Sequence, residues 1–191
     1  MHANERVALL LISWIAGLVA CIQGLISVPA GSTAMMANGL IFLQLSINAS
    51  FAFRAACGDS ARQRWSVQLQ GAVMMLLGGL VCVVVFRWSV MGSIPHPNLM
   101  IGMGVLALIA SLGSWAIMLR HSGAPSGFAT LWRAGRNDAV SNVAVIAAGG
   151  TVALTNSNIP DLVIGGGMAA LFALSGWRIA TTGRLEAGRP S

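Results

Sequence analysis

The sequence predicts an all-α integral membrane protein with six transmembrane helices, and three observations carry that expectation. Of 191 residues, 56% are hydrophobic and only 8% charged, whereas a soluble domain is roughly 25% charged. Six apolar runs reach the length of about 20 residues that a bilayer core demands. Short stretches rich in Gly, Pro, Ser and Asn separate those runs and break helices for known reasons of backbone geometry.

The spans are expected at 7–28, 33–56, 67–88, 98–119, 127–155 and 160–182, with 183–191 as a short cytoplasmic tail. The first run is longer than the core of a signal peptide and reads as a spanning helix; VPAGS at 28–32 ends it. The second, STAMMANGLIFLQLSINASFAF, carries Asn38, Gln44 and Asn48 and stops at CGDSARQR, 57–64. The third contains Gly78-Gly79 and ends at GSIPHPN, 92–98; the fourth ends at HSGAPSG, 121–127. The fifth has two drawings. It starts at 139 if Asp138 is solvated at the cytoplasmic end, or at 127 if Asp138 lies inside. NSNIPD, 156–161, closes it, and the sixth run follows with Gly165-Gly166-Gly167. Small residues let helices approach closely in lipid. The Gly-, Arg- and Pro-rich tail from Thr181 is expected to be disordered, with no soluble domain after it.

The net charge of +6 comes from eleven arginines and no lysine. They are scattered singly between apolar runs, so a nucleic-acid-binding stripe is excluded. Arg6, Arg54, Arg62, Arg64, Arg120, Arg133, Arg136, Arg178, Arg184 and Arg189 fall on one side of the spans, and Arg87 alone on the other. The positive-inside rule then puts both termini in the cytoplasm. The lipid bilayer is the expected partner, and the cell membrane, a bacterial inner membrane, the expected location.

Cys21, Cys57 and Cys82 are odd in number and far apart, which excludes a disulfide framework or zinc knuckle. Ten methionines follow no spacing and read as packing or lipid-facing residues. His2, His96 and His121 are isolated. No active site can be assembled from this inventory, so the chain is not expected to be an enzyme and no cofactor is expected.

The strongest functional signal is Asp138. A carboxylate at the centre of a spanning helix costs about 2.5–3.5 kcal/mol on insertion scales and faces protein or a water-filled cavity. At helical spacing its face holds Ala134, Ser141, Asn142, Val145 and Gly149. On the second span Gln44 and Asn48 are four apart and share a face, with Asn38 on the same broad arc. These amides read either as neutral oxygen ligands for a cation or as hydrogen-bonding glue between helices.

NDAVSNVAVIAAGGTVALTNSNIPDLVIGGGMAALFALSGWRI and GSTAMMANGL together resemble the fifth and sixth helices, and the start of the second, in the cation diffusion facilitators. The resemblance covers about residues 5–182. It implies a six-helix cation-efflux-like bundle with cytoplasmic termini, acting as a dimer that exports Zn²⁺ or a related divalent metal by antiport with protons. In that family two i, i+4 ligand pairs on helices two and five build the transport site. By position, Asp138 matches the second ligand of helix five, and its partner position holds Ala134. The helix-two positions hold Ile41 and Leu45, and Asn38 stands where many members have a further Asp. The family's metal-sensing cytoplasmic domain is not expected here.

Three functions follow. The first is a divergent cation transporter using Asp138 as cation or proton site, with Asn142, Asn38, Gln44 and Asn48 as neutral contacts. The oxygen-only set would suit a cation harder than zinc. The second is a non-transporting subunit that pairs with a ligand-complete transporter of the same fold. The third is a structural membrane protein of like architecture.

Overall fold

The computed structural model describes the backbone of residues 3–56, 63–92, 94–120 and 127–187. Side chains are described within these segments except at 3–5, 55–56, 63–70, 127–137, 180 and 182–187. The described residues form six α-helices: α1 Ala3–Ala30, α2 Thr33–Ala56, α3 Gln63–Met91, α4 Pro97–Arg120, α5 Gly127–Thr155 and α6 Ile159–Ala187. Each contains a stretch long and apolar enough to cross a bilayer, with mean hydropathy between 1.3 and 2.3. Trp14, Leu18 and Leu25 on α1, Leu76, Leu80 and Phe86 on α3, and Leu154 on α5 are exposed. Such side chains on the outside of a helix bundle are solvated by lipid rather than water. The chain is a multi-pass membrane protein.

α1 and α3 run a few residues beyond the expected spans at both ends, and two further boundaries bear on the site and the tail. α5 begins at Gly127, which takes the longer of its two drawings. Asp138 therefore lies near the middle of the helix, roughly 16 Å along its axis from the start. α6 continues to Ala187, so the expected disorder from Thr181 is corrected over that stretch. Arg184, Leu185, Glu186 and Ala187 all rank high in helix propensity and carry the helix past Gly183. Residues 188–191 lie outside the described residues, as do His2, Cys57 and His121.

The turn between α1 and α2 is built from local hydrogen bonds. Gly31 has φ of 64°, a left-handed conformation that glycine adopts without steric cost. The Gly31 N–H donates to Val28 O at 3.1 Å and the Ser32 N–H to Ser27 O at 3.1 Å, a Schellman closure of α1. Ser32 then caps α2, its Oγ accepting the Met35 N–H at 3.1 Å. At the end of α5, Asn156 takes φ of 51° and its N–H donates to Val152 O at 2.9 Å. The loop before α4 docks on the first turn, where the His96 N–H donates to Ala30 O at 2.9 Å.

Side-by-side registers show three antiparallel pairs. On α1 and α2, Ser13 Oγ and Ser50 Oγ are 2.6 Å apart, and Ser46 Oγ donates to Ser13 O at 2.8 Å. On α4 and α5, Gly104 lies against Ile146 while Gly149 lies against Met100 and Ile101. On α3 and α6, Gly176 meets Gly71 and Met74, Gly78 meets Ala169 and Ala173, and Gly166 meets Val85. α2 is the central element, touching all five others. Phe42 and Leu45 of α2 pack with Leu9, Ile12 and Met118. Met35 packs with Met100, Val145 and Val152, and Ala37 with Val81 and Ala169. Met35, Met74, Met100, Met103 and Met118 are buried as packing residues. Cys21 is an exposed free thiol, and Cys82 a partly buried one.

Candidate cation site

α2, α5 and α6 enclose a cavity of about 460 Å³ at the mid-height of the bundle. The i, i+4 spacing on α2 brings Gln44 and Asn48 to its wall, together with Ile41 and Leu45, each three positions earlier and likewise four apart. From α5 come Asp138, Val140, Ser141 and Ala144; from α6 come Met168, Leu171, Phe172 and Ser175. Three of the five residues expected at a site, Asp138, Gln44 and Asn48, thus meet in one cavity. Ile41 and Leu45, the helix-two positions that the resemblance marks for ligands, face the same space.

Asp138 is 2% exposed, and its Oδ2 has no hydrogen-bond partner among the described residues. Buried polar atoms are nearly always paired, and an isolated carboxylate in apolar surroundings is the most expensive kind to leave alone. The expected face of α5 is the buried one: Ser141, Asn142, Val145 and Gly149 all point inward. Ala134, Arg133, Arg136 and Asn137 belong to the part of α5 whose side chains lie outside the description.

Asn38 and Asn142 are elsewhere. They join a buried chain of side chains that crosses four helices next to the cavity. Asn38 Nδ2 donates to Gln23 Oε1 of α1 at 3.1 Å and to Asn142 Oδ1 of α5 at 2.7 Å. Asn142 Nδ2 donates to Ser111 Oγ of α4 at 2.7 Å. The single proton of the Ser141 hydroxyl is shared between Asn38 Oδ1 and Asp138 O, each 2.8 Å from Oγ. Asn38 and Asn142 thus hydrogen-bond across helices, a contact that helps hold membrane helices together. Ser141 is the hinge between the two environments, since it also lines the cavity.

Gln23, Ser111 and Ser114 were not singled out from the sequence, although all are fully buried or nearly so. Gln23 Nε2 and Ser114 Oγ have no hydrogen-bond partner among the described residues. A single polar residue inside an apolar run is the only sequence signal they carry. Asp161, read as part of a helix-breaking stretch, is 1% exposed and binds the start of α2.

Among the described residues, no three of His, Cys, Asp or Glu come together as a metal-binding group. The arrangement offers one carboxylate, two amides and two hydroxyls in an otherwise apolar cavity. It can neutralise one positive charge and supply neutral oxygen contacts. No family model and no curated protein matches the chain.

Proposed function

We propose that this membrane protein is a divergent cation-efflux-type transporter that carries a cation across the bilayer at Asp138, in exchange for protons. The observation that carries the reading is the Oδ2 of Asp138, mid-helix, buried and without a partner among the described residues, on a cavity shared with Gln44 and Asn48. A carboxylate kept at that depth marks a pathway. Asp138 binds the cation or the proton, and Gln44, Asn48 and Ser141 give neutral oxygen contacts. Asn38 and Asn142 hold α2 against α5 beside the site. By the resemblance the cargo is a divalent metal, the chain works as a dimer with both termini in the cytoplasm, and its membrane is a bacterial inner membrane. That Ile41 and Leu45 line the cavity with Asp138 supports the resemblance in place, while their chemistry accounts for a reduced site.

The same two residues favour a second reading. Aliphatic side chains where ligands are expected suit a subunit that pairs with a ligand-complete transporter instead of carrying the ion itself.

Purified protein alone in proteoliposomes, with an internal pH dye and a panel of divalent metal and monovalent organic cations, benzyltrimethylammonium among them, separates the two. The expected result is cation-dependent proton movement in wild type that is lost in Asp138→Asn. Folded wild-type protein that moves no cation would transfer support to the paired-subunit reading.

A further inference from the structure

We infer that the cavity between α2, α5 and α6 takes a monovalent organic ammonium with an apolar body, admitted sideways from the hydrocarbon of the bilayer. The inference rests on Asp138 as the cation site and changes the class of its cargo.

Size is the first argument. Sites for small organic molecules measure roughly 300–1,000 Å³ and are lined mainly by apolar side chains with a few polar groups. This cavity, at about 460 Å³, falls in that range. A bare divalent ion instead needs about six oxygens within roughly 2.0–2.6 Å and would leave most of the space unfilled.

Charge is the second. Ile41, Leu45, Val140, Met168, Leu171 and Phe172 make apolar walls around one carboxylate, Asp138. One carboxylate balances one positive charge. A divalent ion would keep its second charge among hydrocarbon side chains, where uncompensated charge is strongly disfavoured. An ammonium with an apolar body matches both parts of the lining, and aromatic side chains such as Phe172 add attraction for such cations.

The position of the mouth is the third. Deep in the cavity, Leu45 is 1% and Phe172 6% exposed, whereas Val140 and Leu171 at its rim are 65% and 67% exposed. Ser175 at the rim is exposed too. Val140 and Leu171 lie near the midpoints of α5 and α6, so the opening is on the flank of the bundle, at the depth of the lipid tails. A hydrated metal ion does not travel there. An amphiphilic cation partitions into the bilayer first and then meets the opening.

The test is equilibrium dialysis of radiolabelled benzyltrimethylammonium against the purified full chain in a neutral maltoside detergent. Its charge is permanent, and neopentylbenzene is its uncharged isostere. The expected result is saturable binding of one ammonium per chain. Asp138→Asn should weaken it at least tenfold, and Ser175→Trp, a rim position with room for a large side chain, should do the same. Neither neopentylbenzene nor Mn²⁺ should compete. Binding unchanged in both variants, or none at all to folded wild type, overturns the inference. If Mn²⁺ binds through Asp138 and the ammonium does not, the organic cargo is wrong and the transport reading stands. Ammonium that binds through Asp138 to a protein moving no cation in proteoliposomes removes the transport reading and leaves the binding site.

Discussion

The carboxylate of Asp161, in the first turn of α6, accepts the backbone N–H of Thr33 at 2.7 Å, 128 residues earlier in the chain. The same side chain accepts the Ala34 N–H at 3.1 Å, the Ser32 hydroxyl at 2.5 Å and the Thr33 hydroxyl at 2.9 Å. The first N–H groups of a helix have no partner within it, and an anion there also meets the positive end of the helix dipole. Asp161 supplies both from another helix. It thereby ties the starts of α2 and α6 together, and those two helices wall the cavity along with α5. Gly165, one turn further along α6, has no room for a side chain against Thr33 and Ala34.

Asp161→Ala should therefore be among the most destabilising single changes at a polar position. Two buried N–H donors and the Ser32 hydroxyl lose their acceptor, while the Thr33 hydroxyl keeps Asp161 O at 3.0 Å, and each orphaned buried donor costs about 1–3 kcal/mol. A loss of about 3–5 kcal/mol is expected, with Asp161→Asn falling between the two. Thermal unfolding in detergent measures it. A melting temperature for Asp161→Ala within a degree or two of wild type would show that the cap contributes little.

The contact between Asn38 and Asn142 should give a measurable coupling. Each is fully buried, and they meet at 2.7 Å. Side-chain hydrogen bonds between membrane helices contribute about 0.6–2 kcal/mol. A double-mutant cycle with Asn38→Leu and Asn142→Leu, read by reversible unfolding, should return a coupling within about that range. Additive effects would mean that α1, α2, α4 and α5 are held by packing, without help from this chain of amides.

Packing between α3 and α6 can be probed at glycine. A Cβ on Gly176 would fall 2.7 Å from Gly71 O and 2.8 Å from both Met74 Cβ and Met75 N, two of them backbone atoms that cannot give way cheaply. Gly79, one position from the contacting Gly78, has nothing within 4 Å of the same point. Gly176→Val should sharply reduce the yield of folded protein. Gly79→Ala should leave it unchanged or raise stability by about 0.5–1 kcal/mol, the usual gain from Gly to Ala in a helix. Equal tolerance at both positions would contradict the close α3–α6 approach.

How much of this was legible beforehand follows from what helical periodicity encodes. Gln44 and Asn48 share a wall because residues four apart lie on one face, and the inward face of α5 through Ser141, Asn142 and Val145 follows from the same rule. Periodicity says nothing about which helix that face meets. Hence Asn38, placed with Gln44 on one arc of α2, turned out to pair with Gln23 and Asn142. Gln23 and Ser111 gained their meaning only from those partners. Asp161 was hidden for another reason. Beside a proline it reads as turn chemistry, and the N–H groups it satisfies belong to a helix that begins 128 residues away. The start of α5 was undecided because Arg133, Arg136 and Asn137 fit a solvated end as well as a continuing helix.

Asp138 sets function against stability, and that conflict can be measured. In a bundle selected only to fold, a carboxylate that is 2% exposed, with an oxygen lacking a partner among the described residues, would be a defect. Asn has nearly the same shape and no charge. Asp138→Asn should therefore raise the stability of the empty protein, by at most about 2.5–3.5 kcal/mol, the cost of a charged residue at a helix centre on membrane insertion scales. The same substitution should abolish cation-dependent flux, because the amide cannot balance a positive charge. A gain in melting temperature with a loss of flux is the signature of a site that retains a costly group for its chemistry. A loss of stability instead would mean that Asp138 has a structural partner within the bundle, and the case for a cation there would fall with it.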